Sequence, residues 1–429
     1  ITKPLNKKIM AYTETRTVGY SSRVGSSFKG IGAGIMLFLA GTALLWWNEG
    51  NYVKTDKMLN EAEGVTVELE SIDRIDPEMD GKLVYATGFA TTQDSLIDPK
   101  FGVGATAIKL KRQVEYYQVS EQAHEEHKDK LGGKEEIVTT YTYTEGWTTN
   151  PIMSSNFHDP AYQKKNFVLT TADSEGWQAE KVTFGAFQLA ENQIGSIMGD
   201  VPVELRIDSA MIVAMNKECQ QVIQRQFGGK SDSMKLVHIA DNVLYYGFSP
   251  SSPAVGDVRI TFTKVMPAKV SIIAKQTGNS FTKFKAKNGK TFQTLVMGER
   301  PAEEIYEGAH SANTTMMWIF RILGIVMVIS GLKGIFAFIE TILKVVPFVA
   351  NIIGWGVGVV CTVIGIAWSL IIIALAWLFY RPLIGISLLA IAGFLVWVFA
   401  FKGKDKLKEL AQRGKAAPQT APANSPDNV

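Results

Sequence analysis

The residues best suited to chemistry are the two histidines of the run His124-Glu125-Glu126-His127. Two histidines three positions apart on a helix share one face and can bind zinc together. The metalloprotease motif instead needs histidines four positions apart, and no third ligand follows nearby in this sequence. The run is highly charged and precedes Gly132-Gly133, so it indicates a solvated hairpin tip rather than a metal site.

Two other motifs that could bind a ligand are incomplete. Phe227-Gly228-Gly229-Lys230-Ser231 resembles the end of a phosphate-binding loop, but Gln224 stands where the motif requires its first glycine. Asp73, Asp76 and Asp80 lack the alternating oxygen ligands of a calcium loop. The sequence therefore predicts no cofactor, no metal ligand and no catalytic residue. A metal-dependent hydrolase built on the histidine pair is the least favoured alternative.

These polar motifs lie between apolar stretches that are long enough to cross a membrane. About twenty apolar residues span ~30 Å of hydrocarbon as a helix. Such stretches cover residues 30–47, 314–332, 351–377 and 382–401. The sequence therefore predicts an α-helical membrane protein with four transmembrane helices, one N-terminal and three C-terminal, and a β-rich α+β extramembrane domain.

Residues 48–313 are predicted to form that domain. In 107–119, the apolar residues Ile108, Leu110 and Val114 alternate with charged ones, which is the period of a half-buried strand. Strands are also predicted over 83–90, 137–147, 243–247, 258–265 and 270–275, and helices over 187–198 and 302–309. No linker rich in proline or serine divides the region, so a single domain is predicted.

The uneven distribution of charge predicts the orientation of the chain. The tail 1–29 carries a net charge of +5, residues 316–401 carry +3, and the basic and then disordered tail 402–429 carries +3. Because the whole chain carries +3, residues 30–315 carry −8. Cations that flank membrane helices stay in the cytoplasm. Both tails are therefore predicted to be cytoplasmic and the acidic domain periplasmic or lumenal, and no nucleic-acid partner is predicted.

A few residues within the apolar stretches stand out. Arg321 interrupts the second stretch, where it either reaches the interface along its aliphatic stem or meets a buried functional partner. The spacings Gly30-x-x-x-Gly34 and Gly354-x-x-x-Gly358 allow helices to approach closely. These four glycines are predicted helix-packing positions.

Residues 333–350 are predicted to form an amphipathic helix in the cytoplasmic interface. Lys333, Glu340 and Lys344 fall on one helical face among apolar residues, and Pro347 marks the end of the helix. The rival interpretation makes the segment a continuation of the second span, with its polar residues facing a water-filled gap.

Several phrases of this sequence, taken together, resemble the transmembrane protein 43 family, also called LUMA. They are Trp47-Asn48-Glu49-Gly50, Asp98-Pro99-Lys100-Phe101-Gly102-Val103, residues 107–118, Tyr141-Thr142-Tyr143 with Trp147, Ser155-Asn156-Phe157, Val255-Gly256-Asp257-Val258-Arg259 and Trp377-Leu378-Phe379-Tyr380-Arg381-Pro382. The resemblance runs from about residue 28 to residue 403, with the same order of spans. Asn51 departs from it, because the family's first phrase continues with arginine.

The resemblance implies a protein without established enzymatic chemistry. Animal members of the family reside in the endoplasmic reticulum and inner nuclear membrane, self-associate, and are linked to emerin and lamins. A bacterial homologue is expected here, in the inner membrane with a periplasmic domain. A eukaryotic chain would place the domain in the lumen of the endoplasmic reticulum or nuclear envelope.

The function expected from these observations is that of a non-enzymatic membrane scaffold or organiser. The expected partners are the lipid bilayer, further copies of the chain and unidentified membrane or extracytoplasmic proteins. An ion channel or transporter component, or a modulator of one, is the alternative, since Arg321, Lys333 and Glu340 lie in or near the membrane.

Overall fold

The computed structural model describes residues 11–228, 233–344 and 347–381, together with 386–387, 390–391, 393–394 and 397. These residues divide into two compact units. The β-rich domain holds the described parts of Ile1–Arg23, Thr55–Asn313 and Lys344–Pro347. The helix bundle holds the described parts of Val24–Lys54, Thr314–Leu343 and Phe348–Val429.

Nineteen strands lie in the described residues. They are β1 (Ala11–Val18), β2 (Val67–Glu68), β3 (Leu83–Thr91), β4 (Ser95–Ile97), β5 (Gly104–Thr106), β6 (Lys109–Asp129), β7 (Glu135–Thr148), β8 (Glu175–Gln178), β9 (Thr183–Phe184), β10 (Phe187–Gln188), β11 (Asp200–Pro202), β12 (Val237–Ala240), β13 (Val243–Tyr246), β14 (Val258–Val265), β15 (Ala268–Thr277), β16 (Ser280–Thr282), β17 (Phe284–Lys285), β18 (Thr291–Phe292) and β19 (Thr294–Met297).

The helices are α1 (Tyr20–Val65), α2 (Glu191–Ile194), α3 (Ser209–Phe227), α4 (Ala302–Leu343) and α5 (Pro347–Tyr380), with 3-10 turns at Pro77–Met79 and Ser154–Asn156. The six predicted strands are present, and the predicted helix 302–309 is the start of α4. The prediction of one helix over 187–198 is wrong. That segment contains β10 and the single turn α2, because its apolar residues pack into a sheet-lined core rather than along one helix face.

Two large sheets build most of the domain, and the pairs β4-β5 and β17-β18 form two small sheets. An eight-stranded sheet has the order β1-β7-β6-β14-β13-β12, with β11 on β14 and β8 on β6. A seven-stranded sheet has the order β19-β15-β16-β10-β9-β3-β2, and β15 also pairs with β3. The alternation predicted for β6 is confirmed, since Leu110, Val114 and Tyr116 are buried while Lys111 and Gln113 are exposed. Apolar residues from both sheets supply the cores of the domain.

The N-terminal strand β1 is part of the domain. It pairs antiparallel with β7 along its whole length, from Ala11 opposite Thr142 to Val18 opposite Glu135. Its threonines, tyrosine and valine have a high propensity for strands. The prediction of a tail rested on the charges of the segment and not on this propensity. Residues 11–18 of the predicted tail 1–29 are therefore a strand of the domain's sheet. The side of the membrane on which the tail lies stays a prediction.

The position of the histidine run within strand β6 determines whether the two histidines can bind one metal ion. His124 and His127 lie on a strand, where residues three apart point to opposite faces, so they cannot share a metal ion. His127 instead contacts Glu135 of β7 at 3.2 Å. A hairpin turn is present at 130–134, with Gly132 and Gly133 at φ of +80° and +77°. The prediction that the histidine run belongs to the tip is wrong, because that run lies within β6. The phosphate-loop-like motif 227–231 lies partly outside the described residues.

Three helices of the described residues are long and apolar enough to cross a membrane: α1, α4 and α5. Most of the predicted fourth span, 382–401, and all of the tail 402–429 lie outside the described residues, so a four-helix fold is not shown. The first predicted span is shorter than the helix that contains it, because α1 continues to Val65.

The prediction of a separate helix over 333–350 is wrong. Lys333 and Glu340 lie in the last turns of α4, which runs without a break to Leu343. No glycine pair or proline interrupts residues 335–343, so nothing there ends the helix. Pro347 begins α5, a position where the missing N–H of proline costs nothing. The unbroken helix agrees with the rival interpretation on this one point, and the water-filled gap of that interpretation stays a prediction.

Candidate functional site: paired charges in the helix bundle

Glycines let α1 and α4 touch through their backbones. A Cβ added to Gly34 would lie 2.7 Å from the backbone nitrogen of Ile335 and 2.8 Å from the carbonyl oxygen of Gly331. One added to Gly41 would lie 3.0 Å from the carbonyl oxygen of Gly324. Because the partners run in opposite order, the two helices are antiparallel. Only glycine fits such a close approach, as at other small-residue contacts of membrane helices.

The four predicted glycines differ in their surroundings. Gly34 lies in this seam, and Gly354 of α5 lies against the carboxyl group of Glu340, whose Cδ would be 2.8 Å from an added Cβ. Gly30 and Gly358 have no heavy atom within 4 Å of an added Cβ among the described residues. The sequence analysis missed Gly41, Gly324 and Gly331. The signal that could have found them is a spacing of seven residues on each helix, Gly34 to Gly41 and Gly324 to Gly331.

A buried ion pair crosses from α1 to α4 beyond the glycine seam. Glu49 is completely buried, and the side chain of Arg321 is 11% exposed. Arg321 donates from Nε to Oε1 of Glu49 at 2.5 Å and from Nη2 to Oε2 at 2.8 Å. The indole nitrogen of Trp377 on α5 donates to the same Oε2. One carboxylate thus accepts hydrogen bonds from two other helices, and the bidentate geometry is the strongest that arginine can offer.

Aromatic rings enclose the guanidinium group. Its central carbon lies 4.9 Å from the ring centre of Trp318 and 5.5 Å from that of Trp377. The guanidinium carbon of Arg381 lies 5.8 Å from the ring centre of Trp377 and 5.6 Å from that of Tyr52. Cation–π contacts strengthen when water is excluded, so the rings stabilise the charge where hydrocarbon would otherwise surround it.

The neighbours of Glu49 in sequence reinforce the same junction. Asn48 is buried and donates from Nδ2 to the carbonyl oxygen of Met317 at 3.0 Å. A Cβ added to Gly50 would lie 2.7 Å from the ring of Tyr380. Asn48 and Glu49 therefore bind α4, while Glu49 and Gly50 contact α5. The phrase Trp47-Asn48-Glu49-Gly50 therefore lies where three helices meet.

The structure decides between the two alternatives for Arg321, because the side chain has a buried partner. The sequence analysis did not identify Glu49 as that partner. The available signal was a carboxylate two residues after one apolar run and a lone arginine inside another. Lys333 and Glu340 do not join this cluster, and Lys344 contacts Asp129 of the domain at 3.5 Å.

The domain contains a second buried pair of the same type. Asp98 is completely buried and accepts a hydrogen bond from Nη1 of Arg112, itself 4% exposed, at 2.7 Å. The other oxygen of Asp98 accepts from the backbone nitrogens of Lys100 at 2.8 Å and Phe101 at 3.3 Å. Arg112 also donates to Glu175 at 2.9 Å. The pair fixes the turn that begins at Asp98.

A third cluster fastens the segment after β7 to β6. Glu121 accepts hydrogen bonds from the hydroxyl of Tyr143 at 2.6 Å and from the backbone nitrogen of His158 at 2.7 Å. The Nδ1 atom of His158 lies 2.9 Å from the same carboxylate, and Tyr141 stacks on the imidazole at 3.9 Å. Burial raises the pKa of Glu121, but the hydrogen bonds from Tyr143 and His158 outweigh it and lower the pKa from its usual value.

Within the part of the chain that the structure describes, no group of three or more His, Cys, Asp and Glu side chains could hold a metal ion. Cys219 and Cys361 are buried free thiols, one in each unit. Of the polar residues that the sequence analysis singled out, Arg321, His127 and Lys344 thus contact side chains of other secondary-structure elements.

Comparison with known proteins gives matches that cover most of the chain. The family model described as Transmembrane protein 43 matches residues 116–382. The chain is 28% identical to Transmembrane protein 43 of Rattus norvegicus over 389 residues, which cover 88% of this chain and 91% of the rat protein. It is 28% identical to that of Homo sapiens over 377 residues, 85% of this chain and 88% of the human protein. It is 25% identical to the Transmembrane protein 43 homolog of Drosophila melanogaster over 371 residues, 83% and 90% of the two chains. No solved structure matches the chain.

Proposed function

This chain belongs to the transmembrane protein 43 family, and we propose that it acts as a non-enzymatic membrane scaffold that binds other proteins through its extramembrane domain. The observation that carries the proposal is the cluster of Glu49, Arg321 and Trp377. The two charges of this cluster are hydrogen-bonded to each other, and the carboxylate also accepts from an indole. Such a cluster fixes the arrangement of three helices, as an anchor for a binding domain requires, rather than presenting a charge to a passing solute.

The proposed topology has four crossings, with the domain in the periplasm or in the lumen of the endoplasmic reticulum or nuclear envelope. The charge of −8 on residues 30–315 and the cations near the C-terminal spans support this orientation. The pairing of β1 with β7 opposes it at the N-terminal end.

Cysteine variants test the topology and the pairing together. Thr15 and Val138 are directly opposite each other in the register of β1 and β7. The double variant Thr15→Cys, Val138→Cys should form a disulfide under oxidation, while Thr15→Cys with Thr139→Cys should not. Single cysteines at Ser95 and Thr15 then report their side of the membrane to an impermeant reagent. Labelling of Ser95→Cys only from the cytoplasmic side would refute the orientation.

Self-association is the second part of the proposal. Gly30 and Gly358 support it, because an added Cβ at either position meets nothing within 4 Å in the described chain. These faces are available to a second copy, whereas Gly34 is already used within the chain. Gly30→Ile should therefore weaken detergent-stable oligomers without disturbing the bundle. An oligomer that persists in Gly30→Ile and Gly358→Ile variants would remove these faces from the proposal.

Partner capture tests the scaffold itself. The full chain in native membranes is treated with an amine-reactive crosslinker, and the attached proteins are identified. Arg321→Met should reduce capture because it loosens the anchor, whereas Arg206→Met, an exposed arginine of the domain with an 82% exposed side chain, should leave it unchanged. Reconstituted vesicles provide the opposing test. Ion currents above those of empty vesicles, abolished by Arg321→Met, would favour a channel and contradict the scaffold.

A further inference from the structure

A cavity of about 480 Å³ lies beside the first turns of α4, entirely within the β-rich domain. Strand β19 forms one wall, the segment after α2 forms another, and α4 forms the third. The lining is mostly apolar and includes Met198, Leu295, Met297, Ile305, Gly308 and Ala309. Met198 is 65% exposed, so its side chain lies at the surface beside the cavity and not in the core.

The helical wall of the cavity continues directly into a membrane span. Ile305, Gly308 and Ala309 are spaced by three and four residues and share one face of α4. From Ala309 to Thr314, where the apolar run begins, the helix rises about 7.5 Å. The polar headgroup layer is ~5–7 Å thick on each side of the hydrocarbon. Along α4, the distance from the cavity wall to the apolar run is therefore one that a layer of lipid headgroups can span.

Gly308 keeps the cavity open. An added Cβ at this position would meet no heavy atom within 4 Å among the residues that the structure describes, so none of these packs against the helix there. Glycine inside a helix costs ~0.5–1 kcal/mol relative to alanine, and no positive φ or close backbone contact explains its presence here. Space beside the helix is the remaining physical use. The two methionines of the lining adapt to irregular apolar shapes.

The mouth of the cavity carries charge suited to a phosphate. Arg300 and Glu304 lie in the lining and are hydrogen-bonded to each other, with the arginine side chain 54% exposed. A guanidinium at a mouth of this kind can bind a phosphate by exchange with Glu304. The neighbouring cavity of about 620 Å³ has the opposite character, because its lining includes Glu63, Glu68, Glu299 and Glu303.

We propose that the apolar cavity receives one acyl chain of a bilayer phospholipid, with the phosphate of that lipid beside Arg300. The lipid binds where α4 leaves the membrane and fills the space that Gly308 leaves. This inference adds a ligand to the domain and does not depend on the scaffold role.

Photolabelling tests the proposal in the full chain. The protein is reconstituted into vesicles of phosphatidylcholine that contain a phosphatidylcholine with a diazirine on its acyl chain. After irradiation, mass spectrometry should find label on peptides containing Met198 and Met297 as well as on the membrane spans. Gly308→Phe fills the cavity and should lower the label on those two peptides by at least about fivefold, equivalent to ~1 kcal/mol of binding, while the label on 359–375 stays constant.

Gly64→Phe is the matched control, since Gly64 is also a helical glycine with nothing within 4 Å of an added Cβ and does not line the cavity. It should leave all labelling unchanged. Met198→Glu is a second variant that reduces labelling without filling the space. Label confined to the membrane spans would overturn the proposal, as would equal labelling of Gly308→Phe and wild type. Labelling by a soluble diazirine fatty acid but not by the phospholipid would reject a bilayer lipid as the occupant.

Discussion

The helix bundle and the β-rich domain each contain a buried arginine–carboxylate pair, and the two pairs are built differently. Asp98 in the domain accepts hydrogen bonds from Arg112 and from the backbone nitrogens of Lys100 and Phe101, which follow it closely in sequence. Glu49 in the bundle accepts hydrogen bonds from side chains of two other helices. In a membrane no water replaces a lost side-chain donor. The bundle should therefore be more sensitive than the domain to the loss of one arginine.

Two native thiols report on the two regions separately. Cys361 is 2% exposed in the bundle, and Cys219 is completely buried in the domain. Reaction of a buried thiol with a membrane-permeant maleimide requires local opening, so its rate follows the free energy of that opening. Mass spectrometry distinguishes the two modified cysteines in one sample.

The largest effect is expected for Arg321→Met. The change leaves Glu49 buried with one indole donor, and breaking a buried pair in this way costs ~3–5 kcal/mol. Labelling of Cys361 should accelerate by ~100-fold or more, while labelling of Cys219 stays at the wild-type rate. Arg381→Met, at the edge of the same aromatic group, is the control and should have a much smaller effect. Equal rates for wild type and Arg321→Met would show that the pair does not stabilise the bundle.

A smaller effect is expected for Arg112→Met in the domain. The two backbone nitrogens continue to donate to Asp98. The domain should therefore lose ~2–3 kcal/mol of folding stability, which is close to the cost of leaving a buried polar group unsatisfied. Labelling of Cys219 should accelerate and that of Cys361 should not. A larger acceleration here than that of Cys361 in Arg321→Met would reverse the comparison.

The glycine seam provides an intermediate test of the bundle. Gly34→Ala places a Cβ against backbone atoms of α4 and forces the two helices apart. This overpacking should destabilise the bundle by ~1–3 kcal/mol. Gly32→Ala, at a glycine of α1 with nothing within 4 Å of an added Cβ among the described residues, should gain helix stability by ~0.5–1 kcal/mol. The two variants should therefore change the labelling rate of Cys361 in opposite directions. The same direction for both would mean that the close approach at Gly34 is not required.

The smallest effect concerns pH and belongs to the domain. Because the folded-state pKa of Glu121 is lowered, its carboxylate stabilises the fold fully above the usual value of 4.5. That stabilisation is lost as the pH falls through the lowered folded-state pKa. Pepsin should therefore cut the segment 150–166 faster as the pH falls from 5 to 3 in the wild type. In Glu121→Gln the dependence should be weaker, and an identical pH profile for both would contradict the assignment.

Sequence reasoning succeeded where a pattern is local. The alternation of Ile108, Leu110 and Val114 predicts β6, and three of the four predicted spans coincide with apolar helices. It failed where partners are distant in sequence. Glu49 and Arg321 are 272 positions apart, so no window of the sequence contains both. The strand β1 was missed for the same reason, since its partner β7 begins more than one hundred residues later and the charges of the segment suggested a tail.

The central claim is that Glu49 and Arg321 act as one unit that holds three helices together. A double-variant cycle of Glu49→Met, Arg321→Met and both together, with Cys361 labelling as the readout, tests it most directly. Each single variant should lose ~3–5 kcal/mol of bundle stability. The double variant should lose much less than either, ~1–3 kcal/mol, because removing both charges leaves only the indole N–H of Trp377 without its acceptor. A double variant whose loss equals the sum of the two single losses would contradict the account.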